Sequence, residues 1–134
     1  MKPVTKAQAK HYLRRVDMDQ LLDAAVIIRP RGQAQVLINS LESLYLLFEP
    51  NKKSLPGVEF EELELWLRDA IGDTELAYAL VYNKDKSSYI NHCIKVYQTL
   101  NTRMRHYADV LGVEFSQKEL LATTKPTTTL YQQL

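Results

Sequence analysis

Apolar residues in this chain recur mostly at spacings of three and four, the period of helices that bury one side. The clearest run lies in residues 87–112, where Ile90, Cys93, Tyr97, Leu100, Met104, Tyr107 and Leu111 step by three and four in alternation. These are the a and d positions of successive heptads. They predict a helix of about 24 residues, roughly 36 Å long at 1.5 Å per residue. Gly112 stops it, and it is expected to be the spine of the domain.

Shorter segments precede it. Thr5 with Gln8 has the spacing of a capping box ahead of Tyr12, Leu13 and Val16, which predicts a first helix over residues 5–15. Asp17 with Gln20 repeats that start signal before Leu21, Leu22, Ala24, Ala25, Val26, Ile27 and Ile28, a second helix stopped by Pro30. The β-branched end of this run leaves an alternative, a short hairpin near residues 25–38 that turns at Pro30-Arg31-Gly32. Leu37, Leu41, Leu44 and Phe48 predict a third helix over residues 33–49, and the prolines and glycine of residues 49–57 predict a loop. Phe60, Leu63, Leu67 and Ile71 mark a fourth helix that carries Trp66 and ends at Gly72. Asp73 or Thr74 opens a fifth, to about Tyr82. Ser116 with Glu119 makes a last capping box before Leu120 and Leu121. The expected fold is all-α: a compact bundle of five or six helices around one long C-terminal helix. It forms a single domain over residues 1–122, followed by an extended threonine-rich tail over 123–134.

Composition narrows the chemistry. With 134 residues, 46% of them hydrophobic, the chain can bury a core without staples, and its lone cysteine, Cys93, excludes a disulfide scaffold and a zinc cage. No apolar run reaches the roughly 18 residues of a membrane span, and the first residues lack a signal-peptide stretch, so the expectation is a cytoplasmic protein with no membrane partner. His11, His92 and His106 form no metal-binding pair by spacing, and Asp17, Asp19 and Asp23 lack the glycine and terminal glutamate of a calcium loop. Phosphate-binding glycine motifs are absent. No catalytic residue, metal ligand or cofactor is assigned. Arg29 and Arg31, flanking Pro30, are the one candidate anion site, weighed against a solvated turn.

Charge is uneven behind a formal net of +1. Residues 1–16 hold Lys2, Lys6, Lys10, Arg14 and Arg15 with no acid, whereas residues 59–83 hold Glu59, Glu61, Glu62, Glu64, Asp69, Asp73 and Glu75 against Arg68. Lys6, Lys10 and Arg14 recur every four residues and form a basic edge. Three explanations compete: pairing of the two segments within or between subunits, a basic arm for nucleic acid or an anionic surface, and plain solvation.

Eight tyrosines, with Tyr78 and Tyr82 one turn apart, suit either contacts between chains or a small core with its hydroxyls at the boundary. In the tail, Leu130, Tyr131 and Leu134 are apolar anchors expected to lie in a groove of another subunit or protein, with Tyr131 dominant. The function expected from these features is a non-enzymatic protein–protein interaction or assembly module, oligomeric by self-association or bound to a protein partner. The rival readings are a nucleic-acid-binding regulator that uses the basic first helix, and an enzyme whose catalytic set is not visible.

Overall fold

A computed structural model describes residues 3–28, 32–50, 54–82, 84 and 87–113. Thr5 opens the first helix, α1 (Lys6–Leu13), through the expected capping box. Gln8 N–H donates to Thr5 Oγ1 at 3.1 Å and Thr5 N–H to Gln8 Oε1 at 2.9 Å. The second start signal does not launch a helix. Asp17 and Gln20 bracket a single 3₁₀ turn over Met18–Gln20, and the chain then extends into β1 (Leu22–Ile28) and β2 (Gln33–Ile38).

The all-α expectation is therefore overturned. The fold is α+β, with a three-stranded antiparallel sheet in the order β2-β1-β3, where β3 is Ser54–Gly57. The helix predicted over residues 33–49 is split: its first part is β2, and only Leu41–Phe48, α2, is helical. The hairpin alternative is the arrangement found, with its pairing longer than residues 25–38 suggest and running from Leu22↔Ile38 to Ile27↔Gln33. Part of the segment expected to be loop, residues 49–57, pairs with β1 as β3, from Ala25↔Gly57 to Ile28↔Ser54.

Alternation decides which side of the sheet is covered. Leu22, Ala24, Val26 and Ile38 are buried, while Asp23, Gln33, Gln35 and Leu37 lie on the opposite, exposed side. The helical layer begins with α2, capped by Ser40, which accepts from Ser43 N–H. Next comes α3 (Phe60–Trp66), which continues into a π-helical turn over Leu67–Ile71. Gly72 closes that turn with φ 88°, a left-handed conformation open to glycine but strained for other residues, and its N–H donates to Leu67 O at 2.9 Å. Helix α4 (Thr74–Tyr82) follows directly.

The long helix is present as α5 (Tyr89–Leu111), from the Ser88 cap to left-handed Gly112. It packs on α1, α2 and α4 and is the spine expected of it. Its buried face runs through His92, Cys93, Val96, Leu100, Arg103, Met104 and Tyr107, whereas Ile90 is 42% exposed. Among the described residues no helix is long and apolar enough to cross a membrane. The capping box at Ser116 and the tail over 123–134 lie outside the described residues.

Candidate functional site

The densest polar constellation lies where the π-helical turn, α4 and α5 meet. Asp73 directly follows Gly72 and caps α4, its Oδ1 accepting from Leu76 N–H at 3.2 Å. From α5, Arg103 Nη2 donates to Asp73 Oδ1 at 2.8 Å, and its Nε donates to Asp73 Oδ2 at 3.2 Å and to the Tyr107 hydroxyl at 2.6 Å. Tyr107 donates in turn to Asp73 Oδ2, and Glu75 Oε2 accepts from Arg103 Nη1 at 3.4 Å. The guanidinium also lies 5.0 Å from the Tyr107 ring centroid. Arg103 and Asp73 are each 1% exposed. A substrate has no route to either group, so the cluster acts on the fold: a buried carboxylate holds the start of α4 and a guanidinium fastens it to α5.

Arg14 performs a related task from just beyond α1. It donates to Ile71 O at 3.1 Å and to Ala70 O at 2.5 Å, covering carbonyls that the end of the π-helical turn leaves open. Of the expected basic edge, Lys6 and Lys10 remain exposed and Arg14 does not belong to it. Nor, among the described residues, do the basic and acidic segments pair with one another by charge. Among the described residues, the ion pairs of the acidic segment are made by Arg68 with Glu64 and by Arg103 with Asp73 and Glu75.

The tyrosines among the described residues divide into two groups. Tyr45 and Tyr97 stack with centroids 5.0 Å apart and their hydroxyls 3.0 Å apart, and Tyr45 also donates to Asn101 Oδ1 at 3.0 Å. Burial and the Tyr97 hydrogen bond push the Tyr45 hydroxyl above its ordinary pKa. Tyr89 donates to Pro56 O at 2.5 Å, and Tyr12 packs against Tyr107. All five of these serve the fold. By contrast, Tyr78 and Tyr82 stack on the solvent side of α4 with centroids 6.1 Å apart, 68% and 77% exposed, beside Val81 at 46%. Sequence spacing had singled them out; their freedom from the core becomes visible only in the structure.

Cys93 is a buried core residue against Tyr89, and burial pushes its thiol from 9.0 up to about 11. It is a poor nucleophile at neutral pH. Iodoacetamide is expected to label it slowly in the native protein and quickly in urea, and equally fast labelling in both would contradict its burial. Because the folded protein holds this proton more tightly than the unfolded chain, stability is expected to fall as pH rises through 9 and to level off above about 11.

The histidines are dispersed: His11 packs on Gly72, and His92 meets the Phe60 ring edge-on with centroids 4.1 Å apart. Among the described residues no group of histidine, cysteine or carboxylate ligands is arranged to hold a metal ion. A shallow trough of about 460 Å³ lies on the open side of the sheet, lined by Asp23, Ala25, Gln33, Gln35, Gly57 and Glu62 among others. Arg29, Arg31, Leu130, Tyr131 and Leu134 lie outside the described residues. Comparison with family models, with curated proteins and with solved structures finds no match for this chain.

Proposed function

We propose that the protein is a non-enzymatic polypeptide-binding module that presents the tyrosine face of α4 to a protein partner. One observation carries this reading: Tyr78 and Tyr82 form a stacked aromatic pair on a rigid helix and leave 68% and 77% of their surface to solvent, although the core is complete without them. Tyrosine is the residue type enriched at binding hot spots, since its ring supplies area and its hydroxyl tolerates a wet rim. With Val81 exposed beside the two rings, the partner surface is apolar at its centre. A cytoplasmic setting, in which Cys93 stays reduced, fits this reading.

The test compares the full chain with the double variant Tyr78→Ser/Tyr82→Ser. Both are expected to melt together, since neither ring supports the core, while proteins retained by the wild type and confirmed by titration with purified partner are lost from the variant. If instead the variant retains the same partners, the face is not the binding surface. If the wild type binds duplex DNA with an affinity that falls steeply with salt and is lost in Lys6→Glu/Lys10→Glu, the nucleic-acid reading replaces this one.

A further inference from the structure

We propose that β2 is an association edge, and that its occupant is the β2 strand of a second copy of this chain, paired antiparallel about a two-fold axis. This inference goes beyond the reading of the protein as a polypeptide-binding module and uses a different surface from the α4 tyrosines.

The two edges of the sheet are treated differently. At β3, the pairing with β1 leaves Ser54 and Pro56 facing outward. Pro56 has no N–H to offer, its carbonyl accepts the Tyr89 hydroxyl at 2.5 Å, and both residues are buried. That edge is closed in the ways natural sheets close edges, with a proline and a covering element. At β2, Ile28 N–H donates to Gly32 O at 3.0 Å, which fixes the phase of the β1–β2 ladder. Alternation then turns the peptide groups of Ala34, Val36 and Ile38 toward β1 and those of Gln33, Gln35 and Leu37 outward. Among the described elements, β2 packs substantially only on β1. Gln33, Ala34 and Gln35 are exposed, Leu37 is 54% exposed, and the strand contains no proline and no charge. Among the described residues it therefore lacks the proline, the charges and the covering element that keep an open edge from pairing.

The strand also fits itself. Setting Gln35 opposite Gln35 of the second copy places Gln33 opposite Leu37, and the three outward-facing residues exchange about six backbone hydrogen bonds across the axis. Ala34 then faces Val36 on the other side, a small residue against a branched one, and no like charges meet because the strand has none. The side chain of Gln35 already donates to Asp23 Oδ1 at 2.8 Å, which holds the nearest carboxylate to its own chain. Two three-stranded sheets become one continuous sheet. A contact of one short strand lies at the small end of specific interfaces, below about 1,200 Å² in total. The dimer is accordingly concentration-dependent.

The experiment is sedimentation velocity on the full chain from micromolar to sub-millimolar concentration, with two variants. Gln35→Pro removes an outward N–H without touching the ladder to β1, and Leu37→Lys places a charge on the open edge. The wild type is expected to shift from monomer to dimer with concentration, and each variant to weaken that dimer by about tenfold or more while keeping the wild-type melting point. If Gln35→Pro does not fold, Leu37→Lys carries the test alone. A wild type that stays monomeric throughout, or a dimer that Leu37→Lys leaves intact, overturns the proposal. Tyr78→Ser/Tyr82→Ser should leave this dimer unchanged, so failure of the β2 edge and failure of the tyrosine face are read separately.

Discussion

Arg103→Met is expected to cost about 3–5 kcal/mol of folding stability, the range found when one partner of a buried ion pair is removed. The penalty comes less from the lost attraction than from what remains: Asp73, 1% exposed, would keep a carboxylate with no guanidinium beside it. Restoring neutrality should therefore recover much of the loss. Asp73→Ser keeps an oxygen that can cap α4 and removes the charge, so Arg103→Met/Asp73→Ser is expected to be more stable than Arg103→Met alone. Urea unfolding of the four proteins in a double-mutant cycle measures the coupling. A change within about 0.5 kcal/mol for Arg103→Met, the size of a surface effect, would mean that the cluster does not hold α4 to α5.

This cluster shows where sequence reasoning stops. Asp73 is legible as a helix start, and it does cap α4, because a cap is satisfied within one turn of chain. Its partner lies 30 residues away, and no local pattern joins the two. One signal is present all the same. Arg103 is flanked by Leu100, Met104 and Tyr107 on the apolar stripe of the long helix, and a cation in that position needs a buried acceptor from another element. Arg14 is hidden for a similar reason. Its four-residue spacing from Lys10 suggests a basic edge, but its acceptors are Ala70 and Ile71 carbonyls that only the fold brings near.

Helices α1, α4 and α5 are legible in a capping box, a helix-start residue and a heptad stripe, whereas of the sheet only the β1–β2 hairpin is, and only as an alternative to a helix. Two apolar positions of the helical stripe, Leu37 and Leu41, lie on opposite sides of the Ser40 cap, so the helical spacing there spans a strand–helix junction. The alternation in β1 is blurred because its open side carries Ala25 and Ile27 in place of polar residues. Ile27 is covered by β3, whose Gly57 lies so close that an added Cβ would come within 3.2 Å of the Ile27 side chain. β3 itself is hidden by Pro56 and Gly57, and Pro56 is tolerated there because its missing N–H faces away from the ladder. A pairing that depends on residues far along the chain leaves little trace in any short window.

The long helix offers the second large effect, and with it a test of register. Leu100→Ala is expected to cost about 2–5 kcal/mol, because this side chain is completely buried and truncation leaves a cavity that α5 and its neighbours fill only in part. The strict heptad puts Ile90 on the same face, yet it is 42% exposed while Val96, off the heptad, is 1% exposed. A straight helix drifts by about 20° per heptad against a seven-residue repeat. Packed on a globular core with no supercoiled partner, α5 therefore buries His92, Cys93 and Val96 near its start and Met104, Tyr107 and Ala108 near its end. Ile90→Ala should consequently change stability by no more than about 0.5 kcal/mol. Urea unfolding of both variants separates the two registers: similar large losses at positions 90 and 100 would favour the strict heptad, whereas a loss confined to Leu100 is the result expected for a helix whose buried face follows the core.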